Sequence, residues 1–367
     1  MKIKLYDLIG IKSGMNLYLE EFYKTAERNG IPTEILSNYS HQNKSPQLPN
    51  IFEGPAFKKV FNLLISYFKL ISLIIRLKKG EYMIVLLYGT HLDIPLFLIG
   101  KFSKKVVFDV HETMALDYKS PVLRKILYYF YRTCPNKIIA HSAKIKNILS
   151  ELSNKADIVV VPLFPNYTDP NYEPKKIGQD VIKIFENNNS FNYLFFGNVR
   201  PSKGVFDLLA AAETLTDSNN INIIIAGQDI FNTIEEYKAK YPIKDNVKLI
   251  LRLLNDDEMK YLFINSNATL LPYNSVSQSG VLQTAASLKT PMLTSDIPYF
   301  KSVIHELPSF GKYTNTTDHE NFKDVLISFA QEYNERDFYT KADLEKYYQS
   351  DQYNAFANQL KTWLPAN

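Results

Sequence analysis

Apolar and polar positions along the chain follow two periods in turn, and this predicts alternating strands and helices. Short apolar runs, typical of buried strands, are separated by segments with helical spacing such as 17–29. In the N-terminal half the strand-like runs are 3–9, 33–36, 83–88, 105–110 and 137–140. In the C-terminal half they are 192–196, 222–226, 247–251, 268–271 and 292–294. This alternation predicts the α/β class with parallel sheets.

The length of the chain and its interruptions predict two domains. A chain of 367 residues exceeds what one hydrophobic core usually serves. Prolines and asparagines break regular structure between residues 162 and 190. We therefore expect an N-terminal domain at 1–165, a linker at 166–190, a C-terminal domain at 191–345 and a last helical segment at 346–367.

Residues 55–79 form a long apolar helix with one narrow polar stripe. Its polar positions are Lys58, Asn62, Ser66, Lys69, Ser72, Arg76 and Lys79. Two hypotheses remain open: a core helix of the first domain, or contact with an anionic membrane surface, which the basic residues of the segment suit. Lys69 and Arg76 argue against a membrane span. The basic and aromatic helix at 122–132 adds to the membrane hypothesis.

The stretch 195–204 carries the first candidate chemistry. A strand-like run ends at Gly197, Arg200 and Lys203 follow in the turn, and a helix is predicted from Val205. A helix start offers backbone N–H groups and a positive dipole end, and two added cations favour a diphosphate. The alternative is an ordinary turn with two solvated basic residues.

The stretch 268–295 carries the second candidate. A buried strand leads into a polar loop at 274–280, and a helix follows from Val281. Ser277, Gln278 and Ser279 precede that helix, and Gly280 allows close approach of the backbone to a ligand. Two anion sites in one α/β domain favour a nucleotide diphosphate.

These motifs, from Gly197 through Lys203-Gly204 to Gln278-Ser279-Gly280 and Pro291, resemble family 4 of the retaining nucleotide-sugar glycosyltransferases. The resemblance is strongest over 190–300. It implies the GT-B architecture, in which two Rossmann-like domains face each other across a cleft. The N-terminal domain would then take the acceptor and the C-terminal domain the donor, with the last helix crossing back to the first domain.

The resemblance also implies roles for individual residues. Arg200 and Lys203 would bind the donor diphosphate as catalytic groups, and His111, after the strand 105–110, would face the donor sugar. The expected donor-binding residues are Gly197, Arg252 (at the nucleobase), Gln278, Ser279, Gly280, Val281, Leu282 and Thr284. The loop of Gly14, Met15 and Asn16 would touch donor phosphate or acceptor. Two alternatives stay open, since His111 could cap the next helix and Gly14 could be a plain turn glycine.

One departure from the family pattern concerns two glutamates that usually occur in the second motif with seven residues between them. Their positions here fall on Val276 and Thr284, or one residue later on Ser277 and Ala285. Neither register supplies a carboxylate. We therefore expect Thr284 or Gln283 to contact the donor ribose instead.

Composition limits the remaining functions. The net charge of +4 does not indicate nucleic-acid binding. The single cysteine, Cys134, fits a reducing compartment, and residues 1–10 do not resemble a signal peptide, so we expect a cytoplasmic protein or one peripheral on the inner face of the membrane.

Sugar transfer with retention is the expected reaction. The acceptor would be a glycan, lipid-linked or part of a surface polysaccharide, with the nucleotide sugar as donor substrate. No metal and no separate cofactor are expected. Two other functions stay open: an inactive GT-B protein that binds a glycan or a partner, and a nucleotide-sugar epimerase of the same architecture.

Overall fold

The chain forms two compact units, each built on its own sheet. The computed structural model describes residues 1–10, 16–41, 44–111, 120–134, 136–153, 155–161, 173, 175–186, 189–216, 219–276, 279–348 and 351–364. Unit 1 comprises Met1–Phe164 with Ser350–Asn367, and unit 2 comprises Pro165–Gln349.

Unit 1 contains a parallel sheet of six strands in the order β2-β1-β3-β4-β5-β6. The strands are β1 Lys2–Tyr6, β2 Thr33–Leu36, β3 Glu81–Leu87, β4 Val106–Val110, β5 Lys137–Ala140 and β6 Asp157–Val160. The helices of its first part are α1 Asn16–Arg28, α2 Ala56–Ile75, α3 Asp93–Gly100, α4 Pro121–Thr133 and α5 Ala143–Leu152. Every residue of β4 is buried, as expected for a parallel strand with helices on both sheet faces.

Unit 2 contains a second parallel sheet of six strands, in the order β12-β11-β10-β7-β8-β9. The strands are β7 Phe191–Phe196, β8 Ile221–Ala226, β9 Val247–Ile250, β10 Ala268–Leu271, β11 Met292–Ser295 and β12 Gly311–Thr314. The helices are α6 Gln179–Phe185, α7 Val205–Thr214, α8 Thr233–Lys238, α9 Asp256–Asn265, α10 Gly280–Ser287, α11 Pro298–Glu306, α12 His319–Gln331 and α13 Lys341–Tyr348. Counted within the unit, this is the order 3-2-1-4-5-6 of a Rossmann sheet, which reverses between β7 and β10.

The last helix, α14 (Asp351–Trp363), is part of unit 1. Its Phe356 and Leu360 are buried in the core that α1 forms on one sheet face, where Phe356 meets Phe22 edge to face at 5.4 Å. The other sheet face has a separate core, which α2, α3, α4 and α5 cover. The two sides of the sheet are therefore filled by residues from opposite ends of the chain.

The segment expected as a linker contains a helix. Val181 of α6 is fully buried in the core of unit 2, and Gly178 donates its N–H to Glu258 Oε1 at 3.1 Å. The sequence did not reveal this helix because α6 has only seven residues. The α/β class and the alternation of strands and helices are confirmed.

Candidate functional site

The two motifs of unit 2 meet where its sheet order reverses. β7 and β10 are adjacent parallel strands, so the loops at their carboxyl ends lie side by side. Asn274 joins them, because its N–H donates to Ser202 O at 3.2 Å and its side-chain amide donates to Pro201 O at 3.4 Å. Ligands of open α/β sheets bind at this kind of position.

Gly204 lets the two loops approach backbone to backbone. Its φ is +70°, and a Cβ there would lie 1.8 Å from the carbonyl oxygen of Pro272. Any other residue would separate the loops or strain the turn. The glycine before α7 thus fixes the position of the basic turn against the loop after β10.

Arg200 and Lys203 lie around one buried aromatic side chain, Tyr273. Pro201–Lys203 forms a single 3-10 turn, and Lys203 Nζ is 3.7 Å from the centre of the Tyr273 ring. Burial raises the pKa of Tyr273, while the positive charge of Arg200 acts in the opposite direction. Both predicted cations are therefore close to the same ring, which holds the Lys203 ammonium by a cation–π contact.

The start of α10 completes this edge of unit 2. Ser279 caps the helix, with its Oγ accepting from Leu282 N–H at 3.2 Å, and its own N–H donates to the Tyr299 hydroxyl at 3.4 Å. Burial raises the pKa of Tyr299 to about 12, so this phenol stays protonated. A Cβ placed on Gly280 would meet no described atom within 4 Å, whereas one on Gly197 would lie 3.5 Å from the Val281 side chain. The first turn of α10 is open at Gly280 and adjoins the basic loop.

The polar side chains further along α10 already have partners. Thr284 is buried, and its hydroxyl donates to Gly280 O at 3.0 Å. Gln283 Oε1 accepts a hydrogen bond from Tyr347. Leu282 is buried in the core of unit 2. Gln278 and Ser277 lie outside the described residues.

Arg252 is engaged differently from the expectation that it meets the nucleobase. Its guanidinium donates to Asp180 with two bonds of 2.9 Å and to Glu258 with bonds of 2.7 and 2.9 Å. Glu258 also closes the capping box of α9 with Asn255. These contacts join the starts of α6 and α9, so a base contact through the guanidinium would have to replace bonds to carboxylates. Because Asp180 is 72 positions away in sequence, no local motif predicts this network.

Unit 1 has a buried polar cluster at the carboxyl ends of its central strands. Asp109 of β4 is fully buried, and its Oδ2 accepts from the Tyr18 hydroxyl at 2.7 Å. His141, which follows β5, approaches Oδ1 of the same carboxylate with Nε2 at 2.6 Å. Its Nδ1 lies 2.8 Å from Val161 O.

The partners of His141 fix its charge. A backbone carbonyl accepts hydrogen bonds, and so does an ionised carboxylate, so both ring nitrogens of His141 must donate. Burial alone would raise the pKa of Asp109, but the nearby His141 and His111 outweigh it and hold that pKa well below its usual range. Asp109 and His141 therefore form a buried ion pair.

His111 adjoins this pair and is expected to be neutral. Its Nε2 is 3.6 Å from Asp109 Oδ2, and its ring stacks on that of His141 at 4.3 Å. Burial lowers the pKa of His111 and outweighs the attraction of Asp109, with the charge of His141 adding to the lowering. A neutral imidazole can both donate and accept a hydrogen bond. Glu112, Gly14 and Met15 lie outside the described residues, while Asn16 is buried at the first position of α1.

The ligand atoms of Asp109, His111 and His141 lie within 4.8 Å of one another. Ligands about 2.1 Å from a metal ion would be about 3 Å apart or more at right angles or wider. The 2.6 Å between Asp109 and His141 is instead a hydrogen-bond distance. In the described geometry Asp109 and His141 therefore bind each other directly, and His111 lies beside them.

Several contacts of the unit 1 cluster could not be predicted from sequence motifs. Tyr18, Tyr88 and Asp7 connect to the unit 1 cluster: the Tyr88 ring stacks on that of His111 at 5.9 Å, and its hydroxyl donates to Asp7 Oδ1 at 2.8 Å. Asp7 and Asp109 each lie at or just after the end of a buried strand, which is the one signal that could have indicated them.

The fold is that of known two-domain sugar-transfer enzymes. Sucrose-phosphate synthase from Thermosynechococcus elongatus superposes with a TM-score of 0.68 at 13% identity, covering 99% of this chain and 98% of that one. An α,α-trehalose-phosphate synthase (UDP-forming) from Burkholderia vietnamiensis gives 0.58 at 9% identity, covering 99% and 97%. HepE of Anabaena in complex with UDP-glucose gives 0.59 at 14% identity, covering 98% and 95%. The GT-B fold expected from the sequence is confirmed.

Sequence comparison adds a match that is confined to one half of the chain. No curated protein sequence matches significantly. Residues 178–344, which are most of unit 2, match the family model of the glycosyl transferases group 1. Together with the GT-B fold, this match supports a function in sugar transfer from a nucleotide sugar.

Proposed function

We propose that this protein is a retaining glycosyltransferase of the family 4 type, which moves a sugar from a nucleotide-diphosphate sugar to a glycan acceptor. The observation that carries the proposal is the edge of unit 2 where the sheet order reverses. Arg200, Lys203 and the open first turn of α10 come together there. This combination of two cations and a helix start suits a diphosphate.

The proposed reaction breaks the bond between the sugar C1 and the diphosphate oxygen. The diphosphate leaves with the electron pair, and the acceptor oxygen forms its bond to C1 on the same face. The proton of the acceptor hydroxyl passes to the departing diphosphate oxygen. Arg200, Lys203 and the amides of Gly280 and Val281 stabilise the charge that develops on the leaving group. The family resemblance supports retention and the absence of a protein nucleophile and of a metal ion.

His111 is proposed to contact the donor sugar, as the resemblance implies. Its neutral ring can bind a sugar hydroxyl either as donor or as acceptor. The Asp109–His141 pair would hold the ring in place, while burial keeps it neutral against the attraction of Asp109. Asp109 and His141 are thus proposed as positioning residues.

The acceptor is proposed to be lipid-linked or a growing surface polysaccharide. A lipid-linked acceptor would keep the protein at a membrane surface, and the outer helices of unit 1 have side chains suited to that position. UDP-glucose is the first donor to test, because the similarly folded HepE structure contains it.

The test of this function is the removal of each cation. Each loss removes a charge-assisted contact worth about 1.5–3 kcal/mol, so Lys203→Ala and Arg200→Ala should each weaken donor binding about ten- to a hundredfold. Binding of UDP and UDP-glucose would be measured by calorimetry, and sugar transfer or donor hydrolysis by release of UDP.

Lys238→Ala is the matched control, because this exposed lysine pairs with Glu235 on α8 of the same unit. Its donor affinity should equal that of the wild-type protein. Wild-type affinity in both Arg200→Ala and Lys203→Ala would contradict the assignment of the site. Binding of other nucleoside diphosphates in place of UDP would change the donor but leave the site in place.

A further inference from the structure

Helix α2 has apolar side chains on two sides: Leu70 and its neighbours pack on the unit 1 core, whereas a second apolar stripe faces solvent. Its buried residues are Ser66 and Leu70. Two members of its polar stripe face inward: the Asn62 side chain donates to Asn50 O at 2.6 Å, and Ser66 is buried, with its backbone carbonyl accepting from the Tyr6 hydroxyl at 2.7 Å. The outward stripe consists of Phe57, Phe61, Leu64, Phe68, Ile71 and Ile75, whose exposed fractions run from 38% to 78%.

The exposed stripe continues onto the neighbouring helices. α2 packs beside α3 and α3 beside α4, and all three cover the same core, so their outer sides form one layer. Phe102, just after α3, is 83% exposed, and Val122 and Tyr129 of α4 are exposed as well. We call the exposed apolar side chains of α2, of α3 with Phe102, and of α4 the outer apolar surface. It holds thirteen of the twenty large exposed hydrophobic side chains in the described part of the chain.

An exposed apolar surface of this extent is expected to bind another molecule or a membrane. Soluble monomers rarely expose contiguous apolar patches larger than a few hundred Å². The stripe on α2 alone follows a helix of 20 residues, which is about 30 Å long. None of the helices in the described residues has the length and apolar content that crossing a bilayer requires.

Charge decides between possible occupants. The only acidic side chain on α2, α3 and α4 is Asp93, which is buried and accepts from the N–H groups of Tyr88 and Thr90 at 3.0 and 2.9 Å. The exposed charged residues on these helices and directly after α2 are all basic: Lys58, Lys59, Arg76, Lys78, Arg124 and Lys125 among them. A second copy placed face to face would bring like charges together, whereas an anionic lipid surface is complementary.

We propose that the outer apolar surface binds the surface of an anionic lipid bilayer, with α2 lying in the plane of the headgroups. Phe57, Phe61 and Phe68 would enter the boundary between headgroups and acyl chains, and the lysines would meet lipid phosphates. The inference does not depend on the proposed sugar transfer, although it would place a lipid-linked acceptor within reach.

The test is sedimentation of the full chain with phosphatidylcholine vesicles made with and without phosphatidylglycerol. We expect binding to the anionic vesicles at low salt and release as salt rises. Phe61→Ser/Phe68→Ser should weaken binding at least tenfold, about 1.4 kcal/mol. Replacing Lys58, Lys59, Lys78 and Lys79 with Gln should also weaken binding at least tenfold and reduce its salt dependence.

Ile230→Ser/Phe231→Ser is the matched control, since it removes two exposed apolar side chains from unit 2. It should bind vesicles as the wild-type protein does. Both serine variants should bind UDP as before, so a failure of the lipid result is separable from a failure of the proposed function.

Three outcomes would overturn the proposal. One is the absence of vesicle binding at low salt. Another is equal binding with and without phosphatidylglycerol together with no effect of the lysine replacements. The third is a wild-type dimer in light scattering that Phe61→Ser/Phe68→Ser makes monomeric, with no difference between wild type and variant on vesicles, because a second copy would then be the occupant.

Discussion

Helices α2 and α12 carry apolar side chains at the same spacing but present them to opposite surroundings. On α12 Phe322, Leu326 and Phe329 are buried in the core of unit 2, and the exposed side chains include Glu320 and Asp324. On α2 the stripe that begins with Phe57 and Phe61 is exposed instead. Helical periodicity therefore identifies a helix and its apolar side, but it does not say whether that side meets the core.

The two units also differ in whether their charged side chains are buried or exposed. Unit 1 buries an ion pair, Asp109 with His141, beneath the edge of its sheet and exposes apolar side chains outside. Unit 2 exposes fewer large apolar side chains in its described residues and has Arg200 and Lys203 only partly buried at its sheet edge. We conclude that the outer side of unit 1 is adapted to a surface other than water, whereas the sheet edge of unit 2 is adapted to a charged ligand.

The largest effect is expected when one phenylalanine is replaced with alanine on α12 and, for comparison, on α2. Phe322→Ala should destabilise the protein by about 3–5 kcal/mol, because it empties a filled core position. Phe61→Ala should change the free energy of unfolding by no more than about 0.5 kcal/mol, because its side chain is 61% exposed. Denaturant unfolding followed by circular dichroism would measure both. Equal losses would show that α2 packs its apolar side inward in solution.

A second comparison, with a similar expected difference in unfolding free energy, concerns the ion pairs Asp109–His141 and Asp180–Arg252. Asp109→Asn leaves His141 as an uncompensated buried charge, so it should cost about 3–5 kcal/mol of unfolding free energy. Asp180→Asn removes one carboxylate from the exposed side of Arg252, and about 1 kcal/mol or less is expected.

Nitrogen chemical shifts of the wild-type protein would report whether both ring nitrogens of His141 carry a proton, as its hydrogen bonds to Asp109 and Val161 require. A wild-type His141 ring with one proton near neutral pH would contradict the buried ion pair. A loss below about 1 kcal/mol in Asp109→Asn would contradict it as well.

The smallest expected effect concerns the donor ribose. Thr284 and Gln283 are neutral and already hydrogen-bonded, so affinity in unit 2 should depend on its cations more than on contacts to ribose hydroxyls. The dissociation constants of UDP and 2′-deoxy-UDP should then differ by less than about tenfold, or about 1.4 kcal/mol. A ratio above about a hundredfold would show that a carboxylate elsewhere recognises the ribose.

Local signals in the sequence predicted the strands, the basic turn at 197–204 and the loop at 274–280. Glycines and apolar runs identify such features within a few residues. The pairing of Asp109 with His141 and of Arg252 with Asp180 could not be predicted in this way, because these contacts depend on strand order and on residues far apart in the chain. The direction that α2 faces depends on which of its sides the sheet takes, and its inward polar bonds to Asn50 and Tyr6 appear only in the folded unit.

The position of α14 has a consequence for the order in which the protein is made. Phe356, Ala357, Leu360 and Leu364 fill part of the unit 1 core beside α1, yet they are synthesised after the whole of unit 2. Domains generally fold as units while the chain emerges from the ribosome, the N-terminal one first. Here unit 2 is complete in sequence before unit 1 is, and until α14 arrives the Phe22 ring of α1 lacks the Phe356 ring that packs against it. We therefore expect the nascent chain to expose part of the unit 1 core for as long as translation of unit 2 lasts, which favours chaperone binding.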